Sequence, residues 1–233
     1  MDHWRALVRY NLQIVAANTL WVWILPLVFT VLTVGGMFLQ SLLEPRWTFH
    51  PSSAAGLAEG LMPLLGAFIC AHVLDVELRQ GADEVLRSKA CPLGRTVVLR
   101  TLLGLGVVLG FGLLALTAVR LALGPFSVLR VWLAAIPSTL FFAMLGLLIA
   151  MRIQHALLSL VLPLILWFMD FLASWFFNPL LSLSTYKYYL LSQQGERLPF
   201  VLFADWWWVS KIGLGVVAGG LLIRIVAALE RGR

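Results

Sequence analysis

Apolar residues in this chain run in blocks, too long and too evenly greasy for either a two-residue alternation or a single helical stripe. Tyr10 to Leu43 contains no Asp, Glu, Lys or Arg across 34 residues. A helix that crosses the hydrocarbon core of a bilayer needs about 20 mostly apolar residues, and its backbone groups must be bonded within the segment because no water reaches them there. Counting on that basis predicts spans at about 20–42, 55–76, 97–120, 131–151, 156–177 and 206–227. The opening stretch is different. Trp4, Leu7, Val8, Leu12 and Val15 fall on one helical face, with Asp2, Arg5, Arg9 and Gln13 on the other, which predicts an interfacial helix over residues 2–16. Asn18 and Thr19 are suited to cap the following helix, and Pro26 to kink it. One long tilted helix through both segments is the alternative. The expected fold is all-α: a polytopic membrane protein, one transmembrane domain over residues 1–233, with six transmembrane helices and an N-terminal interfacial amphipathic helix.

Composition agrees with that pattern. Hydrophobic residues make up 61% of the chain and charged ones 12%, with a mean hydropathy of +0.93, and a soluble fold could not cover itself with so few polar groups. The net charge of +6 would suit nucleic acid if it were clustered, but the charges are dispersed between apolar blocks. Their distribution gives an orientation instead. With six spans, the side holding both termini carries Arg5, Arg9, Arg79, Arg87, Lys89, Arg95, Arg100, Arg152, Arg224, Arg231 and Arg233. The opposite side carries Arg46, Arg120, Arg130, Lys187, Arg197 and Lys211. The excess of basic residues predicts that both termini and the 77–100 link are cytoplasmic, in a multi-pass protein of a bacterial cell membrane. No cleavable signal peptide is expected, since the N-terminal apolar run lacks a small-residue cleavage pattern. Cys70 lies in a span and Cys91 in the link, which predicts neither a disulfide framework nor a zinc site.

Charges inside spans are costly, by about 2.5–3.5 kcal/mol on insertion scales, and are functional candidates by default. Asp170 lies roughly 24 Å above Gln154 along the fifth span, and Lys211 roughly 20 Å above Arg224 along the sixth, at 1.5 Å per residue. Their similar heights make an Asp170–Lys211 ion pair plausible; the alternative is that Lys211 snorkels outward while Asp170 lies in an external vestibule. Glu59, near the outer end of the second span, is a candidate for an external gate or simply reaches water. Phe171, Trp175 and Phe176 are the aromatic residues best placed to line a substrate path. His72 and Asp75 read as interfacial polar residues, or as supports for the link that follows. Gly106 with Gly110, and Gly215 with Gly219, have the spacing of close helix packing within the bundle. The tryptophans at 21 and 23, and at 206 to 208, fit the two membrane interfaces. The segment 178–205 is apolar for an external loop, and part of it is suited to dip back into the membrane. No G-x-x-x-x-G-K-[ST] loop, G-x-S-x-G or H-E-x-x-H occurs, so neither catalysis nor a bound cofactor or metal is expected.

The most charged stretch, "DVELRQGADEVLRSKACPLGRTVVLR" at 75–100, lies between two almost purely apolar spans. Leu78, Ala82, Val85 and Leu86 recur at helical spacing among Arg79, Asp83, Glu84 and Arg87, which predicts a short amphipathic helix at the cytoplasmic surface followed by a "CPLGR" turn. A solvated connecting loop is the plain alternative. The combination of Glu77, Gly81, Glu84, Val85, Leu86, Pro92 and Arg95 resembles the first cytoplasmic loop of ABC transporter type-2 permeases, the membrane subunits of bacterial ABC exporters. The resemblance extends to the general plan of amphipathic helix, six spans and an external segment before the last span. It implies that residues 77–95 form a coupling helix and turn that dock on a cytosolic ATPase. It further implies two ATPase subunits that bind ATP and magnesium, and a second permease, either another copy of this chain or a similar one. The implied function is export through a path between the permeases. The apolar external segment slightly favours an amphipathic peptide or lipid-like substrate over a glycan or a haem-related one. A non-transporting regulatory or scaffold protein is the rival from another class.

Overall fold

A computed structural model describes residues 51–79, 93–123, 126–153, 155–176 and 201–230, together with Ile24, Val28, Val31, Gly35 and Leu39. Every regular element among the described residues is a helix: α1 (Pro51–Arg79), α2 (Leu93–Leu123), α3 (Val128–Ile153), α4 (Ala156–Ser159), α5 (Val161–Phe176) and α6 (Val201–Glu230). The five isolated positions are helical and exposed; at three- and four-residue spacing they share one face. They fall inside the expected first span. Among the described residues three helical stretches are long and apolar enough to cross a membrane, Val97–Ala122, Val128–Ile153 and Lys211–Glu230, where six spans were expected, and Ala58–Val73 is a shorter apolar one. The chain therefore has the elements of an all-α membrane protein.

Several boundaries differ from the sequence expectation. Helix α1 continues to Arg79, so Glu77 belongs to it and not to a separate helix of the link. Helix α2 starts at Leu93, which makes Leu93, Gly94 and Arg95 its first turn where a non-helical turn was expected. Residues 201–205 are the first turn of α6, not part of the external segment. The segment expected as a fifth span is not one continuous helix: α4 ends at Ser159, Leu160 is a turn, and α5 follows. Pro163 explains the break. It has no N–H to offer the Ser159 carbonyl, and a proline is tolerated in the first turn of a helix but not inside one. The bonds that remain run from Ser159 N–H to the His155 carbonyl, 3.0 Å, and from Leu164 N–H to the Leu160 carbonyl, 2.8 Å.

Helix α3 is the centre of the bundle. It packs most extensively on α1, then on α6, and also on α2, which in turn packs on α1. Half of its apolar stretch is buried, against 33% for α2 and 17% for α6. The core has two parts. Ala58, Met62, Val108, Leu116, Val119, Phe126, Val131 and Ala135 fill one end, between α1, α2 and the start of α3. Cys70, Val97, Leu105, Met144, Leu147, Ala150, Ala218 and Ile225 fill the other, where α6 joins. The second cluster brings Val97 beside Ala150 and Ile225, so the start of α2 and the ends of α1, α3 and α6 share one end of the bundle. The link 80–92 leaves from that end.

Helices approach closely where a glycine faces a neighbour. A Cβ at Gly146 would come within 2.7 Å of the Ala67 carbonyl oxygen, and one at Gly66 within 3.2 Å of the Thr139 carbonyl oxygen. These two glycines bring α1 and α3 into near backbone contact. Gly106, Gly110, Gly215 and Gly219 have open space around the position of a Cβ. They therefore make no close packing contact between the described helices. The reason is angular: on α2 the buried face runs through Gly104, Val108, Gly112 and Leu116, and the Gly106–Gly110 pair lies on the other side. Pro63 in α1 and Pro137 in α3 stand inside their helices. Beside Pro137, the Ser138 and Thr139 hydroxyls donate to the Ala135 carbonyl at 3.0 and 2.7 Å, which satisfies both within the apolar interior. Between helices, the Trp132 indole N–H donates to the Leu109 carbonyl at 2.8 Å and ties α3 to α2.

Candidate functional site

Glu59 and Lys211 meet inside the bundle. Glu59 stands two turns into α1, and Lys211 stands eleven residues into α6. The Lys211 Nζ donates to Glu59 Oε1 at 2.9 Å, and each side chain is only 3% exposed. Taking two charges out of water costs several kcal/mol per ion, and the attraction between them offsets that cost only when the geometry is good and the remaining donors and acceptors are satisfied. A pair of leucines in the same place would have been simpler to fold. The ion pair therefore reads as a feature kept for something besides stability.

The surroundings are apolar and closely built. The ring of Trp167 on α5 lies 3.6 Å from where a Cβ at Gly60 would be, so α5 passes beside α1 one residue after the carboxylate. Asp170 follows Trp167 by three residues on the same helix. Its side chain, and those of Phe171, Trp175 and Phe176, lie outside the described residues, although the backbone at all four is helical. Lys211 is thus buried and ion-paired with Glu59; the expected pairing of Lys211 with Asp170 involves a side chain outside the described residues. Glu59 is buried rather than facing water. The sequence contained the signal for this pairing. At 1.5 Å per residue Glu59 stands roughly 26 Å from Val76, a height close to those of Asp170 and Lys211.

The expected docking residues divide between the two helices and the gap between them. Glu77 is in the last turn of α1 and Arg95 in the first turn of α2, while Gly81, Glu84, Val85, Leu86 and Pro92 lie outside the described residues. Arg100, which counts as one more cytoplasmic cation in the sequence, is a buried residue. It is 7% exposed on the inward face of α2. Beside it, Thr101 is 1% exposed, and its hydroxyl has no hydrogen-bond partner among the described residues. Cys70 is a buried free thiol. Among the described residues no group of His, Cys, Asp and Glu is arranged to hold a metal ion. No protein-family model matches the chain, and no curated protein matches it.

Proposed function

We propose that the chain is the permease subunit of an ABC exporter and that residues 77–95 couple it to a separate cytosolic ATPase. The observation that carries this reading is the charged link. It leaves and re-enters the same end of an otherwise apolar bundle, between two helices packed on each other. In so greasy a protein, mixed charge gathered at one bundle end suits contact with a soluble partner, where it sets register and partner choice more than raw affinity. Glu77 and Arg95 would flank the contact from the ends of α1 and α2, and Gly81, Glu84, Val85, Leu86 and Pro92 would make it.

In the same reading the chain crosses a bacterial cell membrane six times, with both termini cytoplasmic, and acts with a second permease and two ATPase subunits. ATP and magnesium are bound by those partners. The substrate is an amphipathic peptide or lipid-like molecule, and Phe171, Trp175 and Phe176 lie along its path. Co-purification tests the partnership. The chain should retain a cytosolic ATPase and alter its turnover, and Glu84→Arg should weaken both. If the ATPase associates and turns over as before with Glu84→Arg, that residue is not at the contact; if none associates with the parent chain, the reading fails.

A further inference from the structure

We propose that the end of the bundle away from the link binds the headgroup of an anionic phospholipid, through Arg120 on α2 and Arg130 on α3. The site is separate from the Glu59–Lys211 pair and stands whether or not an ATPase couples to the chain.

The two arginines leave the same end of the bundle. Arg120 stands in the last turn of α2, and Arg130 is the third residue of α3. Their chain neighbours Val119 and Val131 are buried in one apolar cluster with Ala54 and Phe126, so both arginines stand at the rim of that cluster. Both side chains are exposed, and neither has a hydrogen bond or ion pair among the described residues. The helix dipole favours a cation at the end of α2 but opposes one at the start of α3. Arg130 therefore gains nothing from its own helix, and an anion held by both residues would answer both charges.

The surface beside the arginines selects the ligand. Leu121 and Leu129, each next in sequence to one of them, are 83% and 61% exposed, and Leu114 is 70% exposed. Leu114 and Leu121 share a face of α2, with Leu114 roughly 10 Å nearer the middle of the helix at 1.5 Å per residue. On α3, the exposed Leu133 follows Leu129 by one turn. Thr117, between Leu114 and Leu121, donates its hydroxyl to the Leu113 carbonyl at 2.8 Å, so its proton is already used. Both helices are long and apolar enough to cross a membrane, and exposed leucines on them suit acyl chains. A guanidinium matches a phosphate with two parallel N–H donors. In a zwitterionic lipid the headgroup ammonium competes for that phosphate, whereas an anionic phospholipid leaves its charge to the arginines. A soluble phosphate would meet the charges and leave the leucines uncovered.

Native mass spectrometry of the full chain in detergent tests the site. Phosphatidylglycerol, phosphatidylcholine with the same acyl chains, and inorganic phosphate are titrated separately. The parent should prefer phosphatidylglycerol over phosphatidylcholine by roughly 25-fold and should not bind inorganic phosphate at the same concentrations. Arg120→Gln and Arg130→Gln should each weaken phosphatidylglycerol binding about fivefold, the effect of one cation near an anionic headgroup. The double variant should lose most of the preference. Phosphatidylcholine binding should stay unchanged in every variant, which also shows that the chain is folded. Arg152→Gln, at an exposed position in the last turn of α3 at the other end, should keep the parent's preference. An unaltered preference in the double variant would overturn the proposal. So would an equal loss in Arg152→Gln, a parent that binds the two lipids alike, or inorganic phosphate binding as tightly as the lipid.

Discussion

At the scale of single residues, packing between α1 and α3 rests on the absence of side chains. Gly146→Ala places a methyl 2.7 Å from the Ala67 carbonyl oxygen, and neither backbone can yield without moving a helix. It should cost about 1–3 kcal/mol, read as a lower unfolding temperature in detergent. Gly110→Ala meets nothing and should be neutral or gain up to about 1 kcal/mol from helix propensity. Equal losses at the two sites would mean that the outward face of α2 is also packed. Thr101→Val removes a buried hydroxyl that has no partner among the described residues, and by the same assay should raise stability by about 1 kcal/mol. This contrast between glycines was not legible in the sequence. Gly106 and Gly110 have the spacing of a packing motif and Gly146 stands alone, yet spacing does not say which side of a helix faces its neighbour. Where both sides are apolar, no amphipathic stripe tells them apart.

At the scale of helices, depth was legible and lateral neighbours were not. Counting residues from the helix ends puts Glu59, Asp170 and Lys211 at similar heights, because a helix rises by a fixed amount per residue. Which helix stands beside which depends on packing around α3, and no count along the chain contains that. The break at Leu160 was written locally, in Pro163, but the apolar run around it concealed the interruption. The charge pair can be tested as a cycle. Glu59→Gln and Lys211→Met each remove one partner of the buried ion pair and should lose up to about 3–5 kcal/mol. The double variant should regain much of this loss in thermal stability. Asp170→Asn with Lys211→Met serves as the comparison, since it removes Lys211 and keeps the Glu59 carboxylate. Recovery there, and not with Glu59→Gln, would make Asp170 the energetic partner.

For the whole molecule, composition alone indicated a membrane protein of helices, and the helices long enough to cross agree with it. The proposed orientation, with both termini and the link cytoplasmic, rests on the asymmetry of arginine and lysine between the two sides. Single cysteines in a background lacking Cys91 should be labelled from outside intact cells at Pro51 and Gln194, and not at Ser88 or Gly232. Labelling at Ser88 would invert the topology and remove the link from the cytoplasm. The link draws notice in the sequence because its charge is conspicuous against so apolar a background, although residues 80–92 lie outside the described residues. Arg100 shows the limit of that signal: its burial on α2 is set by what surrounds the helix, and a list of charges does not reveal it.

The 152 residues that separate Glu59 from Lys211 also matter to how the protein is made. At a synthesis rate of about 5–20 residues per second, the carboxylate enters the membrane roughly 8–30 s before its cation leaves the ribosome. During that interval α1 is an apolar helix whose buried carboxylate lacks its Lys211 partner, the kind of segment that stalls at the insertion machinery or is recognised by membrane quality control. Helix α6 therefore completes an ion pair that α1 began much earlier. A chain truncated after Phe200 should accumulate poorly, and Glu59→Gln should raise its level while lowering that of the full chain. Pulse-chase measurement of the four forms would show it, and equal lifetimes for the two truncated chains would mean that the waiting carboxylate goes unnoticed.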